Sequence, residues 1–355
     1  MTRWKENGMR YIGIDIASEQ HVVAVIDEEE RVLLRPSRFA EDASGYARLR
    51  EWLGTPDDAL VAMEATGHYW QNLFAFLVAE GFRVVLINPL RTHRFAPEDL
   101  ERTKTDAIDA LGIARFARQK RPAPARLPDE ATRELRELVR LRDRLVGDQQ
   151  DRCNQLHRMV DLGFPEFTRY VSDLTGPLAT ALLARCPTAL AFAAERPKRL
   201  AQLVYASRNR VGLELAAALV EAAQRSVGAH HGEPYVRQVR YACEDLEVLR
   251  RRFGELEADI DRIIDAHEIG KLLVTIPGVG PQTAARVIAE VGNPADFRDA
   301  DALASYAGLV PGLKLSGKSK TSMRARLTPI GNARLRRGLY MPTLTAVRKN
   351  PWLRA

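Results

Sequence analysis

The stretch RYIGIDIA, residues 10–17, decides how the first part of the chain folds. It is an apolar run, rich in residues that favour strands, and it ends on Asp15. HVVAVID (21–27) follows it, and VLL comes after the polar residues EEER. Short apolar runs broken by a polar turn predict two or three adjacent strands. ALVAME (59–64) predicts another short strand, which ends on a glutamate.

Helical patterns alternate with the later strands. Residues 42–53 and 70–80 have the spacing of helices, and Gly81 is placed to end the second of them. FRVVLINP (82–89) predicts a strand that Pro89 stops, and KTDAIDALGIARFAR (104–118) predicts an amphipathic helix. Strands followed by alternating strands and helices indicate an α/β domain.

A proline-rich stretch, RPAPARLP (121–128), predicts the first domain boundary. We therefore divide the chain into an α/β domain at 1–122, a helical region at 123–268 and a C-terminal domain at 269–355. The middle of the chain is predicted to be all helix. The third region begins with IPGVGPQTAARVIAEVG (276–292), and its last predicted helix starts near Asn332.

Two long helices are predicted in the middle, over 129–161 and 233–266. The second has apolar residues that alternate in steps of three and four, the spacing of a coiled-coil seam. The seam residues are Val236, Val239, Cys243, Leu246, Leu249, Phe253, Leu256, Ile260 and Ile263. The seam packs either inside one subunit, as an antiparallel hairpin, or between subunits. The second alternative gives a physical reason to expect a homodimer or homotetramer.

Composition narrows the class of protein. The chain has 355 residues, of which 46% are hydrophobic and 28% charged, as in an ordinary globular protein. No apolar run reaches the roughly 18–20 residues that a membrane span needs, and the N-terminus lacks an apolar signal core. A cytoplasmic protein without a membrane partner is therefore expected. The three cysteines, Cys153, Cys186 and Cys243, are far apart and are predicted to be buried structural thiols.

Positive charge is concentrated at the end of the chain. The net charge is +7, yet no Asp or Glu follows Asp301. Eleven basic residues lie beyond it, so residues 1–301 have 42 basic and 46 acidic residues, a net charge of −4. The basic residues are Lys314, Lys318, Lys320, Arg324, Arg326, Arg334, Arg336, Arg337, Arg348, Lys349 and Arg354. A localised basic block predicts a polyphosphate partner; the alternative is a solvated basic face without one.

Four carboxylates are predicted to meet in the α/β domain. Asp15 and Glu64 end strands, while Asp106 and Asp109 are three residues apart and share one helix face. Carboxylate oxygens from separate elements suit Mg²⁺, which binds carboxylates together with substrate phosphate and water. Two such ions about 3.5–4 Å apart can promote phosphoryl transfer. The alternative for any one of these residues is a turn or cap.

The order of four motifs resembles the DEDD transposases of one insertion-sequence family. The motifs are GIDIA, MEATGHYW, INP and KTDAIDA. The family comprises relatives of the Piv invertase, also called bridge recombinases. The resemblance implies an N-terminal domain like the Holliday-junction resolvase RuvC, within the RNase H fold. It also implies that Asp15, Glu64, Asp106 and Asp109 form a catalytic tetrad that binds Mg²⁺, with Mn²⁺ as a substitute.

The glycine-rich turn of the third region is a second candidate functional motif, after the carboxylates. PGVGPQTAARVIAEVG resembles a helix-hairpin-helix, in which turn amides such as those around Gly278 and Gly280 bind a backbone phosphate. The alternative is a tight turn between packed helices. Phosphate contact of this kind is independent of nucleic-acid sequence.

Ser316, in the basic segment KLSGKSK, is a third candidate functional residue. Gly317 follows it and lysines surround it, which gives the hydroxyl access and a positive field. From the residues alone, a solvated turn serine is the simpler interpretation. The family resemblance changes this, because SYAGLVPGLKLSGKSK…TPIGNARLRR matches a pattern that contains a nucleophilic serine in that family, and the match falls on Ser316. Ser319 and Ser322 are the alternative positions.

Together these features predict a transposase or site-specific recombinase that cuts and rejoins DNA. Its partners would be the element ends and the target DNA, and the resemblance implies a structured noncoding guide RNA. The predicted nucleic-acid contacts, beside the two glycines, are Lys314, Lys318, Lys320, Arg324, Arg326, Arg334, Arg336 and Arg337. The alternatives are a junction nuclease that uses water and a non-catalytic DNA-binding protein. A kinase-like ATPase is disfavoured, since no glycine-rich loop follows the first strand.

Overall fold

The computed structural model describes residues 8–65, 67–87, 106–126, 128–310 and 331–349, with the side chains of all of these except residues 106–108. The chain divides into two units, Met1–Leu127 and Pro128–Ala355. The dividing point falls inside the proline-rich stretch. The division of the second unit into a helical region and a C-terminal domain stays a prediction. No helix among the described residues has the length and apolar character to cross a membrane.

The first unit is a mixed α/β structure, as the sequence predicts. Its strands are β1 (Arg10–Asp15), β2 (Gln20–Ile26), β3 (Val32–Ala40), β4 (Ala59–Glu64) and β5 (Arg83–Ile87). Its described helices are α1 (Ala43–Leu53), α2 (Trp70–Ala79) and α3 (Asp106–Lys120). Asp42 caps α1 by accepting a hydrogen bond from the Gly45 amide at 2.7 Å. Gly81 turns the chain after α2 with φ +87°, as predicted.

The five strands form one sheet in the order β3-β2-β1-β4-β5. β2 runs antiparallel to both β1 and β3, whereas β1, β4 and β5 are parallel. β1 is therefore the central strand. The parallel pairs bring the carboxyl ends of β1, β4 and β5 to the same edge of the sheet.

Side chains that alternate along β1 and β4 pack into two separate cores, one on each face of the sheet. On one face, Ile12, Ile14, Val61 and Met63 are buried against α1 and α2. On the other, Tyr11, Leu60 and Ala62 are buried with residues of α3. Because both faces are covered, these strands read as continuous apolar runs in the sequence.

The second unit is mainly helical. Its helices are α4 (Glu130–Gly163), α5 (Pro177–Arg185), α6 (Ala189–Ala193), α7 (Pro197–Leu200), α8 (Leu213–Gln224), α9 (Glu233–Ala266), α10 (Glu268–Val274), α11 (Pro281–Val291), α12 (Ala300–Ala307) and α13 (Ala333–Lys349). Two 3₁₀ turns cover Pro165–Arg169 and Pro294–Asp296. Asn332 caps α13 by accepting from the amides of Arg334 and Leu335, both at 3.0 Å. The predicted helix start near Asn332 is confirmed.

The two long helices α4 and α9 pack side by side and antiparallel. Their apolar residues share three clusters, in which early residues of α4 meet late residues of α9. Ion pairs follow the same register: Arg142 contacts Glu257 at 3.1 Å, and Arg152 contacts Asp245 at 2.9 Å. The seam predicted in 233–266 is thus packed inside the chain, the first of the two alternatives. A homodimer or homotetramer stays a prediction.

The prediction that the middle of the chain is all helix is wrong at one place. Val204–Tyr205 (β6) and Asn209–Arg210 (β7) form a two-stranded antiparallel hairpin. Ala206 and Ser207 between them have φ +47° and +69°. A helix of L-residues cannot continue through two consecutive residues in the left-handed region, so the chain turns back here.

The three cysteines are free thiols. Cys186 and Cys243 are buried, and burial raises the pKa of each to about 12. Cys153 is half-buried, and burial raises the pKa of its thiol as well. The prediction of buried thiols is therefore confirmed for Cys186 and Cys243 and is wrong for Cys153.

Candidate active site

The carboxyl ends of β1 and β4 bring two of the predicted ligands together. The parallel register pairs Arg10 with Ala59 and continues to Ile14 with Met63. The next pair in this register is Asp15 with Glu64. Neighbouring strands lie about 4.8 Å apart, so the two residues stand side by side at the edge of the sheet.

The same two carboxylates point to the face of the sheet that α3 covers. Side chains two residues apart on a strand share a face. Asp15 follows Tyr11 and Gly13 in this alternation, and Glu64 follows Leu60 and Ala62. Tyr11, Leu60 and Ala62 pack with α3. Both carboxylates are half-buried at the edge of that face.

Gly13 brings α3 into direct contact with β1. A Cβ atom on Gly13 would lie 2.1 Å from the Ala110 carbonyl oxygen and 2.4 Å from the Ala114 nitrogen. No side chain fits there, so the glycine lets helix and strand backbones touch. The sequence reasoning missed this role, although a glycine inside a strand is a known signal of close backbone approach.

The direction of α3 brings its first described turn to the strand ends. Its last turn lies at the other end of the sheet, where Arg118 contacts Glu30 at 2.6 Å. α3 therefore runs antiparallel to β1. From Ala110 back to Asp106 the helix extends about 6 Å, and from Gly13 to Asp15 the strand extends about 7 Å. The helix turn that contains Asp109 thus lies over the edge where Asp15 and Glu64 end.

The arrangement unites oxygen donors of the kind that Mg²⁺ prefers. Asp15, Glu64 and half-buried Asp109 come from three elements that converge on one edge. α3 is described from Asp106 onward, and the side chain of Asp106 lies outside the described residues. Among the side chains that are described, no group of three or more potential metal ligands is preassembled. The donor chemistry fits a divalent cation, and the fourth carboxylate of the predicted tetrad stays a prediction.

A hydrogen-bonded network around the buried His21 lies on the opposite face of the sheet from the carboxylates. We name it the His21 network; it consists of His21, Glu41, Tyr46 and Asn72. The Glu41 carboxylate contacts His21 Nε2 at 2.6 Å and accepts from the Tyr46 hydroxyl at 2.6 Å and from the Asn72 amide at 3.1 Å. Although burial raises it, these hydrogen bonds hold the pKa of Glu41 below its ordinary value.

A second polar cluster fastens the opposite end of β1. The buried Arg10 guanidinium donates to the carbonyl oxygens of Leu53, Thr55 and Asp57. Burial lowers the pKa of Arg10, and the nearby Asp58 carboxylate partly offsets this. The acceptors are backbone carbonyls at the end of α1 and just after it. The cluster therefore holds this segment against β1, and we assign it no catalytic role.

In the second unit, the glycine-rich turn joins α10 to α11. Gly278 has φ +96°, and a Cβ there would lie 2.9 Å from the Pro342 carbonyl oxygen of α13. Gly280 is exposed, and a Cβ there would meet nothing within 4 Å. At Gly278 the geometry therefore favours the alternative of a tight turn between packed helices. Phosphate contact at either glycine stays a prediction.

The three predicted arginine contacts on α13 differ in their surroundings. Arg334 and Arg337 are exposed. Arg336 is half-buried and donates to the carbonyl oxygens of Ala307 and Gly308, at 3.3 and 3.2 Å. It thereby satisfies carbonyls at the end of α12. Five further predicted contacts lie outside the described residues: Lys314, Lys318, Lys320, Arg324 and Arg326.

Ser316, Ser319 and Ser322 also lie outside the described residues. The described residues on either side of 311–330 contact each other. A Cβ on Gly331, which has φ +103°, would lie 2.5 Å from the Gly308 Cα, so the two backbones touch. The Asn332 amide donates to the Tyr306 carbonyl at 2.7 Å.

The Asn332 side chain strengthens this junction. Its amide group donates to the Glu290 carboxylate at 2.7 Å, and Glu290 is 9% exposed. The Tyr306 hydroxyl donates to the Glu290 carbonyl at 2.8 Å. Residues 306–308 and 331–332, on the two sides of the segment that contains Ser316, are therefore held together.

Comparison with known proteins agrees with the motifs. Residues 12–165 match a family model of IS110-type DEDD proteins described as "Transposase". Residues 270–355 match a second one, described as "Transposase IS116/IS110/IS902 family". The first match contains all four candidate carboxylates, and the second contains the glycine-rich turn and the basic segment.

Relatives align over nearly the whole chain. A Streptomyces coelicolor protein, named as the transposase of the IS117 mini-circle, is 30% identical over 89% of this chain and 79% of its own length. A pilin gene-inverting protein of Moraxella bovis is 24% identical over 94% of this chain and 82% of its own. RuvC of T. thermophilus, solved with a Holliday junction substrate, covers 33% of this chain and 99% of its own, at 18% identity and a TM-score of 0.26. On the first relative and the two family matches, the chain belongs to the IS110/IS116/IS902 family of transposases.

Proposed function

We propose that the chain is a DNA recombinase in which a metal-binding carboxylate tetrad and Ser316 act on the same phosphodiester. The observation that supports this best is the parallel register of β1 with β4, which puts Asp15 and Glu64 side by side at the strand ends, under the first described turn of α3. A sheet edge of this kind presents several carboxylates to one phosphate. Family membership supports the same conclusion for the chain as a whole.

The residues that would hold Mg²⁺, or Mn²⁺ in its place, are Asp15, Glu64, Asp106 and Asp109. When bound, such ions neutralise charge on the phosphate and on the leaving oxygen. The role of the carboxylates is to fix the position of the scissile phosphate at the sheet edge. Their placement on strands and a helix, rather than on loops, gives the precision that such positioning requires.

The proposed covalent step is an exchange of one phosphoester for another. The Ser316 oxygen bonds to phosphorus, the bond from phosphorus to the sugar oxygen breaks, and the serine proton ends on that sugar oxygen, which becomes a hydroxyl group. The number of phosphoester bonds is unchanged, so the reverse step rejoins DNA without an added energy source. The lysines beside Ser316 would stabilise the charge that develops.

Further parts of the proposal concern fold and partners. We propose that the first unit has an RNase H-like fold of the RuvC type, on the basis of its mixed sheet and motif order. The partners would be the element ends, the target DNA and a structured noncoding guide RNA. Phosphate contacts alone do not distinguish RNA from DNA, so the guide rests on the family resemblance. Completion of one site by two subunits would explain a homodimer or homotetramer.

The decisive experiment is a trap for the covalent intermediate. Protein purified with its co-purifying RNA is incubated with element-end DNA and Mg²⁺, then denatured, and the protein–DNA adduct is measured. We expect an adduct that disappears in Ser316→Ala and in Asp15→Asn, and that persists in the neighbouring controls Ser319→Ala and Ser322→Ala.

The alternatives give different results. If Ser316→Ala cleaves DNA normally and no adduct forms, the enzyme uses water as a junction nuclease does. An adduct that moves to Ser319 or Ser322 would retain the mechanism and change the nucleophile. RNA sequencing of the purified complex tests the guide separately, because its absence would leave the adduct result standing.

A further inference from the structure

We infer that the His21 network positions the strand ends that hold the proposed metal ligands; this rests on the proposed metal site. Three members have polar atoms that meet on one carboxylate, that of Glu41. His21 is 0% exposed, and its ring packs against Phe39 with centroids 5.1 Å apart. The His21 ring is therefore fixed in position, close to the carboxyl end of β1.

The network reaches the segment that follows Asp15. The Ala17 amide donates to His21 Nδ1 at 3.3 Å, so the ring proton is on Nε2 and donates to Glu41. The Glu41 amide donates to the Glu19 carbonyl at 3.0 Å. Two hydrogen bonds thus hold the turn between β1 and β2, whose first residue follows Asp15 directly.

The network also reaches the segment that follows Glu64. Asn72 lies in the first turn of α2, and its amide donates to the Glu41 carboxylate. α2 begins at Trp70, whose indole donates to the Gly67 carbonyl at 3.2 Å. The chain from Glu64 to α2 is short, so an anchored helix start restricts where the β4 end can move.

Stability alone does not explain a polar network at this place. An apolar residue at position 21 would pack among Phe39 and the neighbouring core residues without the need for partners. It would not hold the Ala17 amide, nor join that turn to α2. A polar network whose members are all hydrogen-bonded can specify one geometry without adding much stability. Here the specified geometry is the spacing of Asp15 and Glu64.

The Arg10 cluster offers a matched control. Arg10 is a buried polar residue at the end of β1 opposite Asp15, and like His21 it has hydrogen bonds to the backbone of another segment. Its loss should lower stability without any effect on metal ligands about 17 Å away along β1. A comparison of the two positions separates positioning from folding.

The test is a Mn²⁺ titration of the full-length protein, followed by electron paramagnetic resonance, at a temperature where circular dichroism shows every variant folded. We expect His21→Leu to bind Mn²⁺ about 10-fold more weakly than wild type, at the low end of what loss of outer partners costs. Asn72 is exposed, so Asn72→Ala should disturb folding less than His21→Leu does. We expect it to weaken Mn²⁺ binding as well. Arg10→Met should bind as wild type does.

Each outcome has a distinct meaning. Wild-type Mn²⁺ affinity in both folded network variants would overturn the inference. Equal weakening in Arg10→Met would do so as well, because the effect would then follow from lower stability. If Asp15→Asn binds Mn²⁺ as tightly as wild type, the proposed metal site itself fails, whatever the network variants show.

Discussion

The two units differ in how their candidate functional residues are held. In the first unit, Asp15 and Glu64 stand on strand ends whose register makes them neighbours. In the second, Gly278 and Arg336 are predicted nucleic-acid contacts on the basis of residue type and charge, and each also lies against another helix of the unit. Strand register thus shows which candidate residues of the first unit lie together, whereas residue type and charge give no such information for the second unit.

The largest effect should come from the strand ends themselves. Asp15→Asn or Glu64→Gln removes a proposed metal ligand, so we expect recombination to fall by more than the roughly 100-fold that loss of an outer-shell partner can cost. Thermal unfolding should change little, since both residues are half-buried at an edge. Recombination of a plasmid substrate and a melting curve measure the two effects.

Glu28→Gln is the control for this pair. Glu28 lies at the opposite end of the sheet and accepts a hydrogen bond from the Tyr11 hydroxyl at 2.7 Å. Its loss should leave recombination at the wild-type level. Equal loss of activity at both ends of the sheet would contradict the assignment of the site to one edge.

The next largest effect should come from Gly13. Gly13→Ala places a Cβ 2.1 Å from the Ala110 carbonyl oxygen, so α3 must move away from β1. Overpacking of this kind costs about 1–3 kcal/mol, and a clash with backbone belongs at the upper end. Urea unfolding should show this loss, and Mn²⁺ binding should weaken because Asp109 moves with α3.

Gly112→Ala is the matched change on the helix side. A Cβ there meets nothing within 4 Å, and alanine favours a helix over glycine by about 1 kcal/mol. We expect this variant to be as stable as wild type or more so. A Gly13→Ala variant with unchanged stability would mean that helix and strand do not touch at this position.

The sequence predicted most of the first unit because its signals are local. Runs of apolar residues predicted the strands, and spacing predicted the helix over 104–118. That Asp15 and Glu64 are neighbours follows only from the strand order, in which β4 lies beside β1. Pairing of strands this far apart in the chain leaves no local pattern. Placement at strand ends predicted that the carboxylates meet, and the resemblance supported that prediction without giving the strand order.

The supporting residues were missed for the same reason. Glu41 lies just before α1, and nothing in its neighbours indicates that Tyr46, Asn72 and His21 converge on it. Only His21 could have been noticed in the sequence, because it is a lone polar residue at the start of an apolar strand. Arg336 was predicted as a nucleic-acid contact from clustered charge, and that contact stays a prediction; its donation to two helix-end carbonyls left no signal in the sequence.

A smaller effect is expected in the glycine-rich turn. Gly278→Ala introduces a side chain at φ +96° and 2.9 Å from the Pro342 carbonyl, so it should lower the stability of the second unit by about 1–3 kcal/mol. Gly280→Ala, with φ −95° and open space, should be nearly neutral. Urea unfolding and DNA binding are measured for both. Weaker DNA binding at full stability in Gly278→Ala would instead favour the phosphate contact.

The smallest effects should separate two adjacent arginines on α13. Exposed Arg337 is free to approach phosphate, so Arg337→Ala should weaken DNA binding uniformly across sequences and reduce the salt dependence by about one unit of slope. Arg336→Ala should instead lower stability by about 1 kcal/mol, since two helix-end carbonyls lose their donor. DNA affinity measured over a range of salt concentrations, beside urea unfolding, distinguishes them. A reversal of the two patterns would show that charge in this segment, and not exposure, selects the residues that contact nucleic acid.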